Sequence, residues 1–300
     1  YLVQDSWRIQ RNVYTGHYRL LDANNGRHTW GSFAHCRREF ESHKLVNQLK
    51  APSREVVITL HGLGRTRDSM SGLGKYLADE CGYTWINVSY ASTRGRIESH
   101  AKALASVVSN LEGVEKVHFV AHSMGNLVVR HYLADRNGGI EGEASLPAIG
   151  RIVMLAPPNS GSHLAERFKD NDVFRIAAGV SGAQIAENWD DLAKALKTPN
   201  CEFGIIAGKT KQRIFGNPLL DGDDDLVVAV DETKLDGATD FLVVPVIHTF
   251  IMNDERVRQS TKQFLEHGFF ISEEKRSPLP SPDEGGEEGE VDGQKKEHPN

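Results

Sequence analysis

Six stretches of strand length carry nearly continuous apolar side chains. They are EVVITL (55–60), YTWINVSY (83–90), KVHFVA (116–121), RIVMLA (151–156), CEFGIIAG (201–208) and DFLVVPVI (240–247). Runs rich in Val and Ile, without a polar residue at every second position, fit strands covered on both faces. Helical patterns lie between them. In RIESHAKALASVVSNLEG (96–113), Leu104, Val107, Val108 and Leu111 fall on one helical face and Gly113 marks the end. Repeated strand–helix alternation predicts parallel crossovers and a three-layer α/β fold, a mostly parallel central sheet flanked by helices. Functional groups then belong at the carboxyl ends of the strands.

The two ends of the chain read differently. In residues 1–50, WRIQRNVYTGHYRLL alternates moderately and HCRREFESHKLVNQL has helical character. This segment is expected to add antiparallel edge strands and a helix to the same domain, whose main body is 51–272. At the other end, EEKRSPLPSPDEGGEEGEVDGQKKEHPN (273–300) has almost no large apolar side chain, so burial cannot offset the entropy of ordering it. It is expected to be a disordered acidic tail.

Composition narrows the function classes. With 39% hydrophobic residues in 300, the chain can bury a substantial core. The formal charge of −6 is concentrated in the tail, which holds 9 of the 41 acids and 4 of the 35 basic residues; the body is close to neutral. A near-neutral body has no electrostatic footprint for nucleic acid, which excludes that partner class. Cys36, Cys81 and Cys201 are far apart and lack C-x-x-C spacing, so free thiols are expected and not a zinc site or a disulfide framework. No apolar run reaches the roughly 20 residues that span a bilayer, so stable membrane insertion is not expected. The sequence begins at Tyr1 and carries no signal peptide as it stands; it fits a processed or trimmed product and leaves the compartment open.

The stretch KVHFVAHSMGNLVVRHYL (116–133) carries the sharpest chemical signal. An apolar strand pattern passes through Ser123 into a helical pattern with almost no loop between them. Such a turn lifts its apical side chain out of the sheet, and small flanking residues, here Ala121 and Gly125, let strand and helix approach closely. Ser123 could instead cap the helix that begins at Met124. The strand before it and the helix after it favour the nucleophile elbow G-x-S-x-G, with Ala in the first small position.

At these residues the chain resembles the α/β-hydrolase superfamily, and in particular small bacterial lipases and esterases whose elbow reads A-H-S-M-G. In that fold the chain order is Ser, acid, His. The segment DGDDDLVVAVDETKLDGATDFLVVPVIHTFIM (221–252) supplies both partners. His248, after the last apolar strand, is the only histidine between His163 and His267. The acid has four candidates in one loop: Asp221, Asp223, Asp224 and Asp225. The resemblance favours Asp225, since Asp225, Val227-Val228, Leu235-Asp236-Gly237-Ala238 and His248 look like the pattern of small lipases; Asp223 comes second. The acidic loop lacks the D-x-[DN]-x-[DN]-G spacing of a calcium loop, and no metal is expected. The resemblance further implies an oxyanion hole from the backbone N–H groups of Met124 and, in LHGLGRTRDSM (60–70), of Leu63. Gly62 and Gly64 would admit the substrate, His61 would hold the loop by a hydrogen bond, and His122 would have a structural or pocket role. Together these features span about residues 52–270.

After the strand at 151–156, LAPPNSGSHLAERF opens a helical insertion (157–200) of the kind that forms a pocket wall or lid in this superfamily. Leu164 and Phe168, with Val173, Phe174 and Ile176, are the candidate substrate contacts, and they serve a hydrophobic core equally well. The whole constellation implies a serine carboxylester hydrolase, an esterase or lipase acting on a small-molecule or lipid ester through Ser123, Asp225 and His248 without a cofactor. A thioesterase or an acyltransferase would use the same triad. A ligand-binding module that keeps the fold without catalysis would be expected to lack a triad member, and none is lacking.

Overall fold

The computed structural model describes residues 1–137, 146–161, 172–209 and 228–280, with the backbone alone for 172–178. All six expected strands form: β5 (Glu55–Leu60), β6 (Thr84–Val88), β7 (Lys116–His122), β8 (Ala148–Leu155), β9 (Phe203–Gly208) and β10 (Asp240–Val244). They pair side by side in the order β10–β9–β8–β7–β5–β6, and every pairing is parallel. Both faces of the sheet are buried. On one, Val56, Ile58 and Leu60 of β5 join residues of α3 (Ile97–Ser109) and α4 (Met124–Asn137). On the other, Val57 packs with Leu73 and Leu77 of α2 (Ser71–Cys81) and with Val257, Phe264 and Leu265 of α7 (Glu255–His267). This double burial is why the strands read as continuous apolar runs. Helix α3 buries Leu104, Val107 and Val108 as its periodicity requires. Leu111 lies past its last turn and packs on the core from there.

β5 lies between β6 and β7, so the chain leaves β5 towards one side and returns on the other. The carboxyl ends of β5 and β7 are therefore neighbours, and their chains turn to opposite faces, α2 to one and α4 to the other. Such a switch in strand order opens a crevice at the sheet's carboxyl edge.

The first 50 residues do not extend this sheet. Strands β1 (Leu2–Gln4), β2 (Trp7–Arg11), β3 (Tyr18–Leu21) and β4 (Arg27–Gly31) make a separate four-stranded antiparallel sheet. Helix α1 (Phe33–Val46), capped by the Ser32 hydroxyl accepting from His35 N–H at 3.2 Å, covers one face of it. Leu2, Trp7, Ile9 and Leu20 bury against Cys36 and Phe40 in a core of their own. With that apolar face covered, the strands need no ladder to the larger sheet.

In the insertion, α5 (Asp172–Glu187) and α6 (Trp189–Lys194) are helical. α5 breaks at Gly179 (φ 60°, ψ −150°), where the next amide, Val180 N–H, donates to Thr93 O at 2.9 Å. Ile185 and Leu192 are buried in the core beside α3 and α4, and Gln184 accepts from Ile97 N–H at 2.9 Å, capping α3. Residues 273–280 depart from the expected tail. Glu273–Lys275 form a 3-10 turn, Leu279 N–H donates to Ala238 O at 2.9 Å, and Pro280 O accepts from Gly237 N–H at 2.7 Å. The three cysteines are free, Cys36 buried and Cys81 and Cys201 partly so. Among the described residues no helix is long and apolar enough to cross a membrane.

Candidate active site

Ser123 stands at the step from β7 into α4 with φ +52°, in the left-handed region that a non-glycine residue adopts only when its surroundings hold it there. Three bonds do so. Its N–H donates to Leu155 O of β8 at 2.9 Å, and its carbonyl accepts from Asn126 N–H and from Asn126 Nδ2, each at 3.0 Å. The turn is as close as the small flanking residues require. A Cβ on Gly125 would come within 2.9 Å of His61 O and 3.0 Å of Leu60 O, so any larger residue would push the elbow off β5. Met124 is the first residue of α4, and its N–H belongs to the turn that has no intrahelical acceptor, at the positive end of the helix dipole.

The loop after β5 faces the elbow across the switch point. Gly62 lies against it so closely that an added Cβ would sit 2.9 Å from His122 Nδ1 and 3.1 Å from Ser123 Cβ. Leu63 follows, partly buried against the core, and Gly64 (φ +66°) donates its N–H to Ser92 Oγ at 3.1 Å. His61 is fully buried and hydrogen-bonded through Nδ1 to Gly62 O at 3.0 Å; its ring stacks on Tyr90, with centroids 4.2 Å apart, and the Tyr90 hydroxyl donates to His61 O. Burial lowers the pKa of His61 and keeps the ring neutral.

His248 opens a 3-10 turn (His248–Asn253) after β10 and is 5% exposed. His122, the residue before the serine, donates from Nε2 to His248 O at 3.1 Å, and the two rings are 4.7 Å apart. Burial and the neighbouring His248 depress the pKa of His122 far below that of a free imidazole, so it is a neutral Nε2–H donor. Arg65 ties the same segment to the β5 loop, donating from Nη2 to Thr249 O at 3.2 Å. The structure thus brings Ser123, Met124, the Gly62–Gly64 loop with Leu63, and His248 to one end of the sheet.

Asp225 lies outside the described residues, as do Asp221, Asp223 and Asp224, and so do Leu164 and Phe168; the side chains of Val173, Phe174 and Ile176 are likewise not described. The chain re-enters at Val228, which is buried. The segment that follows is clamped to the turn after β8. Asn159 Nδ2 donates to Thr233 O at 2.8 Å, its Oδ1 accepts from Arg130 Nη1 at 3.1 Å, and Ser160 N–H donates to Glu232 O at 3.1 Å. Sequence reasoning missed Arg65, Asn126, Arg130 and Asn159. Of these only Asn126 carries a local signal, its place three residues after the serine in the first turn of α4.

The family model described as "Alpha/beta hydrolase of unknown function (DUF915)" matches residues 45–213, which include the Gly62–Gly64 loop and the elbow but end before His248. A gene product from Listeria innocua superposes with a TM-score of 0.50 at 16% identity, over 74% of this chain and 97% of that one. An inferred hydrolase from Agrobacterium vitis S4 gives 0.50 at 15% identity, over 73% and 91%. At these identities the likeness concerns the fold alone. No curated protein sequence matches the chain.

Proposed function

Since the chain belongs to the alpha/beta hydrolase family whose model it matches over more than half its length, we propose that it is a serine carboxylester hydrolase. The observation that carries this reading is Ser123 held at φ +52° between β7 and α4, with His248 hydrogen-bonded through its carbonyl to the very next side chain, His122. Ser123 Oγ attacks the ester carbonyl while the His248 imidazole takes its proton. The tetrahedral oxyanion is held by the N–H groups of Leu63 and Met124, the latter helped by the N-terminus of α4. His248 then protonates the departing alkoxide, activates water and regenerates the serine. Asp225 is assigned the third role, orienting His248 and stabilising its charged form.

The test is turnover of p-nitrophenyl esters from short to long acyl chains, with a thioester beside them to set the leaving-group preference. Ser123→Ala and His248→Ala are expected to fall to background, and Asp225→Asn to lose about 10⁴-fold in kcat. A fluorophosphonate is expected to label wild type and not Ser123→Ala. Turnover by Ser123→Ala equal to wild type, or label retained on that variant, would overturn the assignment.

A further inference from the structure

A cavity of about 530 Å³ lies between the N-terminal sheet and the β6 side of the larger one. Its chemistry follows from strand alternation. Ile9 and Leu20 point towards α1, so Arg8, Gln10 and, directly opposite Gln10 in the ladder, Arg19 stand on the other face. That face looks onto Val88 at the end of β6 and Val107 of α3, which line the far wall. Arg11 and Arg94 also line the cavity, and among the described residues no Asp or Glu does.

Four arginines line one space, Arg8 buried and the other three exposed, and among the described residues none of the four forms an ion pair, whereas Arg54, Arg96, Arg151 and Arg256 all do. Their partners are neutral. Arg19 Nη2 donates to Gln10 Oε1 at 3.2 Å, Arg11 Nε to Gly16 O at 3.2 Å, and the Arg94 guanidinium lies 5.8 Å from the Tyr14 ring centroid. Arg8 is 4% exposed. It donates from Nη1 to Asp22 O at 3.1 Å and from Nη2 to Asn25 Oδ1, while its Nε has no acceptor among the described residues. The Asp22 carboxylate is turned to His28 and to the N–H groups of Asn24 and Gly26. Burial, with Arg67 and Arg19 nearby, pulls the Arg8 pKa down to about 10 against the opposing pull of Asp22 and Asp68, so its charge persists at neutral pH in a net unfavourable place.

We propose that this cavity binds an organic anion, with a phosphate or carboxylate head among Arg8, Arg19 and Arg94 and an apolar body against Val88 and Val107. The volume is many times that of a single water, about 30 Å³, and falls in the range of small-molecule sites. Guanidinium is the group best matched to a bidentate oxyanion. The site is distinct from the serine centre. Leu63, Ser123, Met124 and His248 do not line it, and the Tyr90–His61 stack stands between the two, with Tyr90 forming part of the cavity wall. The inference does not depend on ester hydrolysis.

Titration calorimetry with octyl phosphate, octanoate, inorganic phosphate and octanol tests it. One of the two amphiphilic anions is expected to bind saturably, the tighter one identifying the head group, with octanol and inorganic phosphate at least about tenfold weaker. Arg19→Gln/Arg94→Gln, which alters only exposed side chains and is expected to keep the wild-type melting temperature, should weaken that binding about tenfold or more. Absence of saturable binding by both anions would overturn the proposal. So would octanol binding as tightly as the anions, or an affinity unchanged in the double variant, which would place the ligand elsewhere.

Discussion

In the proposed mechanism His122, the residue before Ser123, serves the site without reacting. It is 2% exposed, packs against the position where Gly62 lacks a side chain, and spends its one N–H on the His248 carbonyl. Its Nδ1 has no partner among the described residues, as suits a neutral ring in a fixed tautomer. A displacement of about 1 Å in a reacting group can cost about 10²-fold in rate. His122→Ala is therefore expected to lower kcat on an ester substrate by about 10²-fold while KM changes little, and to destabilise the fold by about 1–3 kcal/mol through the lost bond. His122→Gln, which restores an N–H donor of similar reach, should recover part of kcat. Equal kcat in wild type and His122→Ala would show that His248 is positioned by other contacts. The motif places His122 next to the serine, but its partner is 126 residues away and nothing local in the sequence announces it.

At the scale of elements, the site depends on two chain segments approaching more closely than side chains allow. Gly125 at the start of α4 lies against the carbonyls of Leu60 and His61, and Gly62 lies against the elbow. Gly125→Ala must open that contact, and forced packing of this kind typically costs about 1–3 kcal/mol. Because the segments pushed apart carry Ser123 and Leu63, activity should fall more steeply than stability, a difference visible by comparing kcat with the urea midpoint; a loss in stability alone would show that the elbow moves as a unit. The same elements show what was legible in the chain. The six strands of the larger sheet were readable because burial on two faces demands continuous apolar runs. β10 ends at Val244 and not at 247 because the chain turns at Pro245, where Val246 N–H donates back to Val244 O at 2.9 Å. The N-terminal strands pair antiparallel as expected but in a sheet of their own, because each has three to five residues and one apolar face, a pattern that an edge strand and a separate small sheet share. The β5 loop, the elbow and His248 were legible as contiguous motifs. The Arg65 bond to Thr249, spanning 184 positions, was not, since only the closed fold brings those segments together.

Across the whole molecule, buried histidines surround the crevice and the adjoining cavity, and they set how the protein answers to acid. His61, His100 and His122 are all buried with pKa values lowered chiefly by desolvation, His100 to about 4. In the unfolded chain each takes up a proton near pH 6.5, whereas the folded chain resists protonation until well below that. The unfolded state therefore binds more protons as pH falls. The stability these groups contribute is fully present above about pH 6.5 and drains away towards the folded pKa, for His100 between about 6.5 and 4. At pH 5, His100 alone accounts for a loss of about 2 kcal/mol, and His61 and His122 add to it. Carboxylates held below their usual range, such as Glu55 beside Lys116 and Asp254 beside Arg256, act in a lower window, because the unfolded chain protonates them only near pH 4. The two classes separate by pH. Urea unfolding at pH 7.5 and pH 5 should show a marked fall for wild type, smaller by about 2 kcal/mol in His100→Gln, which keeps a polar side chain opposite Ser181 but has no proton to take up. An identical fall in both proteins would mean that His100 titrates alike folded and unfolded, and that its burial between Tyr90 and Ser181 does not hold it neutral.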